Sequence, residues 1–182
     1  VTKTWKKYEH DPKDPGTLST PTVFSVCPDP VDPLNVLWIG TNGGGVDRFD
    51  ARTGKFTRFT THEGLPNDVV YGVLSDDLGC LWMSTNKGIA RFDPRTGTFR
   101  NFNAGDGLQS DEFNRYAYCK DTKGRLWFGG VSGFNWFDPR ELAEDPAPLT
   151  VRITGIKLMN KPVTFGMEGS PLERPAHLSE GM

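Results

Sequence analysis

Residues Leu81 to Phe102 read LWMSTNKGIARFDPRTGTFRNF, and almost the same stretch occurs twice more. Leu37 to Phe59 reads LWIGTNGGGVDRFDARTGKFTRF, and Leu126 to Leu142 reads LWFGGVSGFNWFDPREL. Trp38, Trp82 and Trp127 therefore recur at steps of 44 and 45 residues, and Asp50, Asp93 and Asp138 keep nearly the same step. A period in this range means stacked supersecondary units.

Inside the central unit, short apolar runs at Tyr71 to Ser75, Leu81 to Thr85, Ile89 to Phe92 and Thr98 to Phe102 predict four antiparallel strands. The intervening segments are turns by composition. Asp76 to Gly79, Asn86-Lys87-Gly88 and Asp93-Pro94-Arg95-Thr96-Gly97 supply proline, which presets φ, and glycine or asparagine, which tolerate positive φ. Leu81 and Trp82 are adjacent, so they point to opposite faces, and both faces must be covered. A small sheet buried on two sides and repeated along the chain is what a β-propeller blade requires. The Gly-His and Trp-Asp signatures of WD-type repeats are missing. The fold expected is all-β, a partial β-propeller over residues 1–142 with blades at about 22–59, 66–102 and 113–137.

Closure of a propeller takes about four to eight blades, so three copies imply a piece of a larger ring. Thr4-Trp5-Lys6-Lys7-Tyr8 matches Lys55 to Phe59 and Thr98 to Phe102, which makes it an orphan outer strand with Trp5 and Tyr8 in the places of Phe56 and Phe59. After Phe137 no Phe-x-x-Phe strand follows; 143–148 reads as a linker. The surplus strand at one end complements the missing strand at the other, and pairing between two chains would give a homo-oligomer of six blades through the propeller edges.

Charge and cysteine content bound the partners. Lys and Arg total 21 against 23 Asp and Glu, with no extended basic run, so nucleic acid is not an expected partner. No apolar stretch reaches membrane-spanning length, and no membrane contact by this segment is expected. Cys27 and Cys119 stand at equivalent positions of the innermost strands, where the central unit has Leu74, and are expected to be small core residues too far apart for a disulfide. Cys80, in the turn before Leu81, is expected to be the exposed one.

The stretch Leu37 to Gly45 through Phe49-Asp50, with Gly64-Leu65-Pro66-Asn67 before the next unit, resembles the regulator-propeller repeat of two-component and hybrid two-component histidine kinases. Glu112-Phe113-Asn114 with Phe128-Gly129-Gly130 resembles the closing blade of such sensors, and 149–182 is similar to the start of the immunoglobulin-like domain that follows it. The resemblance implies an extracytoplasmic, periplasmic ligand-sensing fragment of a sensor histidine kinase, with an oligosaccharide as ligand and the kinase outside this chain.

No catalytic constellation, cofactor or metal site emerges from the residues. Gly43-Gly44-Gly45 leads into another strand and reads as a hairpin turn rather than a phosphate cradle. His10, His62 and His177 have no ligand-like spacing, and His62-Glu63 reads as a solvated pair. The repeating tryptophans read as blade packing. Trp136, whose equivalents are Arg48 and Arg91, is free either to stack on a sugar or to cover the junction with the segment from Leu149. The ligand candidates are the polar residues leading into the inner strands: Asn67 and Asp68, then Asp111, Glu112, Asn114 and Arg115. Carboxylate, amide and guanidinium groups together suit a hydroxyl-rich ligand. The rival functions are a lyase-like propeller enzyme, which would need clustered acid and base groups, and a passive interaction scaffold.

Overall fold

Antiparallel pairing builds three successive leaflets, and their register repeats. The computed structural model describes residues 4–142, 156–158 and 161–163. Blade one holds β1 (Val23–Pro28), β2 (Val36–Thr41), β3 (Val46–Asp50) and β4 (Lys55–Phe59). Blade two holds β5 (Val70–Ser75), β6 (Leu81–Thr85), β7 (Gly88–Asp93) and β8 (Thr98–Phe102). A single 3₁₀ turn at Ala104–Asp106 leads to blade three, which has β9 (Phe113–Lys120), β10 (Leu126–Gly130) and β11 (Gly133–Phe137). There is no α-helix among the described residues. The chain divides into two compact units, Val1–Ala143 and Glu144–Met182. Of the second unit, β12 (Ile156–Leu158) and β13 (Lys161–Val163) are described, and they form an antiparallel pair. The linker at 143–148 and the alternating run from Leu149 to Ile153 lie outside the described residues.

Adjacent residues of the second strand do face opposite ways. Trp38 joins a core with Cys27, Val46 and Phe59 of its own blade and Leu81, Met83 and Phe92 of blade two. Leu37 and Ile39, on the other side, pack with Phe49, Phe56 and Leu18. The same handover occurs one blade on, where Trp82 and Ile89 meet Phe113, Leu126 and Phe128 of blade three. Blades one and two thus each present their tryptophan to the aliphatic and phenylalanine face of the next. Gly72 is a site of close approach between them, since a Cβ there would lie 2.4 Å from the ring of Tyr118. Gly88 is fixed by its turn, with φ of 90° and a hypothetical Cβ 2.0 Å from the Phe102 carbonyl oxygen.

A repeated polar device anchors each of the three repeating tryptophans. The indole Nε1 of Trp38, Trp82 and Trp127 donates to Asp29, Asp76 and Asp121 at 2.7, 2.8 and 3.2 Å. Each aspartate also accepts from backbone amides of its own turn, so one carboxylate fixes both the turn and the ring. Burial pushes the Asp29 carboxyl up, but hydrogen bonds from Asp32, Trp38 and Val31 outweigh it and hold the group below its ordinary value. At Asp121 the bonds from Arg125 and Trp127 outweigh burial and bring it to about 2. At the same end of each leaflet, in the turn after the third strand, Asp50, Asp93 and Asp138 each grip the arginine two residues later.

Three expectations are corrected. Residues 4–8 do not form a strand, because a strand needs a ladder partner and none of the described strands offers them one; Tyr8 instead packs its ring on Phe49 at 4.6 Å. Cys80 is buried, held by its turn: its amide donates to Asp76, and Arg91 donates to its sulfur at 3.3 Å. Cys119 is exposed although Cys27, at the same register position, is buried. Blade two covers Cys27, whereas no further blade of the first unit covers Cys119.

Candidate functional site

The innermost strands converge, with β5 between β1 and β9. Each is interrupted by a bulge near its start. In blade one the ladder jumps from Val23 to Ser25, and in blade two from Val70 to Gly72, which extrudes Phe24 and Tyr71. In blade three it jumps from Phe113 to Tyr118 against Gly130 and Phe128. That bulge is two residues longer than the others and carries Asn114, Arg115 and Tyr116. A bulge frees residues from the ladder and re-aims their side chains.

These side chains meet. The rings of Phe24 and Tyr71 stack at 5.6 Å, and the Arg115 guanidinium lies 4.9 Å over Phe24. Blades one, two and three each contribute one member, so the cluster marks the line on which the leaflets converge. The Tyr71 hydroxyl donates to Asn86 Oδ1 at 2.7 Å, which fixes the ring from the blade-two hairpin. Beside Arg115, Tyr116 has φ of 63° and is 81% exposed. A non-glycine residue in the left-handed region costs conformational energy, of order 1–3 kcal/mol, and such strain clusters at ligand clamps.

The sequence candidates divide into two groups. Asn67 Oδ1 accepts from the Val69 amide, Asp68 Oδ1 from Thr61 at 2.7 Å, and Asp111 Oδ1 from Ala104 at 2.7 Å. These side-chain oxygens brace the loops between blades. The backbone carbonyls of Asp68 and Asp111 complete the job: Asp68 accepts from Gly43 and Gly45, and Asp111 from Gly88. That pairing also consumes the glycine amides that a phosphate cradle would need. Glu112, Asn114 and Arg115 are exposed, and the latter two sit on the bulge. Phe24, Tyr71 and Tyr116 were not singled out in the sequence. The readable signal was spacing: the step from Val23 to Val26 and from Val70 to Val73 is three residues, but that from Phe113 to Tyr118 is five.

Other polar features are structural in character. Glu63 Oε2 accepts from the amide and hydroxyl of Thr60, which lowers its pKa, while the His62 side chain beside it is 92% exposed. Trp136 stacks on Trp127 at 5.7 Å with the Arg125 guanidinium over it, and remains half exposed; Leu149, its expected cover, lies outside the described residues. No group of three or more His, Cys, Asp or Glu able to hold a metal occurs among the described residues.

Residues 64–87, which run from the inter-blade loop through β5 and β6, match the family model of the two component regulator propeller. That stretch resembles one regulator-propeller repeat. Its fold is similar to the extracellular domain of a protein described as a hybrid two component system from B. thetaiotaomicron, with a TM-score of 0.61 and 24% identity over 75% of this chain and 18% of that one. A second extracellular domain from that organism, described as belonging to a hybrid two component system, matches at a TM-score of 0.53 and 25% identity over 60% of this chain and 16% of the other. No curated protein matches. The chain thus spans less than a fifth of the length of these structures. No helix among the described residues is long and apolar enough to cross a membrane.

Proposed function

We propose that the chain is a ligand-sensing part of the extracytoplasmic region of a two-component sensor histidine kinase, and that its ligand is an oligosaccharide bound where the inner strands converge. The observation that carries this reading is the meeting of Phe24, Tyr71 and Arg115 from three successive blades. Aromatic faces take the apolar side of a sugar ring, while guanidinium and amide donors take its hydroxyls. Glu112, Asn114, Arg115 and Tyr116 contact the ligand in this reading, and Asn67, Asp68 and Asp111 hold the loops that frame it. The regulator-propeller match at residues 64–87 and the extracellular two-component neighbours support the sensing role.

Thermal unfolding of the chain, and of the sensor region that contains it, across an oligosaccharide panel tests the proposal, since a ligand bound only by the folded state raises the midpoint. An oligosaccharide that shifts the native protein should shift Arg115→Ala much less, with affinity lower by about tenfold or more, the scale of one lost charged hydrogen bond. A panel with no active member, or binding indifferent to Arg115→Ala and Asn114→Ala together, overturns it.

A further inference from the structure

One position in the third strand differs in charge from blade to blade. The ladders place Asp47 opposite Ile39, Ala90 opposite Met83 and Asn135 opposite Phe128. In blade three this residue grips the loop that enters the blade: Asn135 Oδ1 accepts from the Gln109 amide at 2.7 Å, and its Nδ2 donates to the Gly107 carbonyl at 3.2 Å. In blade one, Asp47 Oδ2 accepts from the Ser19 amide at 2.7 Å. Ser19 and Gln109 each stand four residues before the first residue of their inner strand, Val23 and Phe113; the same place in blade two, before Val70, is Pro66. Proline has no amide hydrogen to donate, and its counterpart Ala90 has no acceptor. Donor and acceptor therefore change together in all three blades.

Blade one alone uses an ionisable group for this grip, and the group is poorly compensated. Asp47 has no exposed surface, and its Oδ1 accepts no hydrogen bond. Three elements pack against it. From β2 comes the uncharged Ile39. From β4 comes Arg58, whose Nε lies 4.0 Å from Oδ1, beyond hydrogen-bond reach. From the loop come Ser19 and the charge of His10, whose Nδ1 donates to the Leu18 carbonyl at 2.8 Å. The neutral and the charged imidazole both make that last bond. A buried carboxylate with a bare oxygen costs free energy that a carboxylic acid does not. Burial accordingly pushes the Asp47 carboxyl above its ordinary value, against the Ser19 hydrogen bonds and the charges of Arg58 and His10.

We propose that Asp47 is a proton-operated latch on the loop 9–21: closing the loop over blade one takes up a proton at Asp47, so the loop holds more tightly as the pH falls. With the loop closed, Ser19 and its neighbours keep water from the carboxyl. With the loop open, the carboxyl is hydrated and ionises in its ordinary range. Linkage fixes the sign. A carboxyl raised in the closed state stabilises closure fully below its open-state value, and that stabilisation is lost as the pH rises through the closed-state value. Protonation also turns one oxygen into a donor, so the acid then offers the acceptor and donor that Asn135 offers in blade three. The latched loop leads directly into β1, whose bulge carries Phe24, so acid steadies the strand that bears this ring. The latch itself depends on no ligand.

Amide hydrogen exchange of the whole chain, read by nuclear magnetic resonance and corrected for the intrinsic pH dependence of exchange, tests the latch. Between about pH 7 and about pH 4.5, protection of the Ser19 amide should rise severalfold, while that of the Gln109 amide, held by a neutral side chain, stays level. Asp47→Asn should abolish the rise and keep the protection, Asp47→Ala should abolish both, and His10→Gln should leave the rise in place. A Ser19 protection that is level or falls toward acid, or a rise that Gln109 shares equally, overturns the inference. So does a rise that survives Asp47→Asn or vanishes in His10→Gln.

Discussion

Blades two and three share a register and differ in company. Leu74, Trp82 and Arg91 stand in one row of blade two, and Cys119, Trp127 and Trp136 in the same row of blade three. Trp82 is 1% exposed, whereas Trp127 is only half-buried although its indole makes the same bond to the same turn aspartate. Local sequence builds the leaflet, its turns and its Asp–Trp anchor. Burial is a property of the stack, conferred by whichever sheet lies against that face.

The contrast can be broken by substitution. Trp82→Ala opens a hole between two sheets and should cost about 3–5 kcal/mol of unfolding free energy. Trp127→Ala removes a ring already half in water and should cost about 1–2 kcal/mol; urea unfolding of the single chain measures both, and equal losses would refute the distinction. The anchors are next in size. Asp76→Ala strands the indole of Trp82 and the amides of Leu78 and Cys80, for a loss of about 2–3 kcal/mol. Asp121→Ala, in the more open blade, should lose less in the same titration.

The exposed arginine-gripping turns should give the smallest effect, and it depends on pH. Hydrogen bonds from Arg52 and Arg140 hold the Asp50 and Asp138 carboxyls down to about 2 from the ordinary 3.8. A carboxyl with a depressed folded value stabilises the fold above its unfolded value, and that stabilisation is lost as pH falls toward the folded one. The unfolding midpoint should therefore fall from pH 3.8 toward about 2, and Asp50→Asn should flatten part of that fall. A decline confined to higher pH would point to other groups.

What was legible in the sequence follows from the same division. The strands of blade two, the hairpin glycines and the opposed faces of Leu81 and Trp82 are local, and the repeat displayed them three times over. The outcome at Cys80 was not, because its turn folds inward on Asp76 and Arg91, a contact that composition does not reveal. Cys119 was misjudged for the opposite reason: its equivalence to Cys27 was right, but equivalence fixes orientation and not cover. At the candidate site, Arg115 and Asn114 were reachable as polar residues near a strand start. Phe24 and Tyr71 were hidden because a bulge makes two ordinary strand residues point at the axis, and only the ladder register exposes it.

Cys27 and Cys119 offer the cleanest measurement, since they hold one position in two blades and differ only in what covers them. Rates of thiol labelling, read by mass spectrometry on the native chain, should be fast at Cys119 and slower by orders of magnitude at Cys27 and Cys80. Equal rates at Cys27 and Cys119 would contradict the claim that neighbouring blades, and not the repeat itself, decide what is buried.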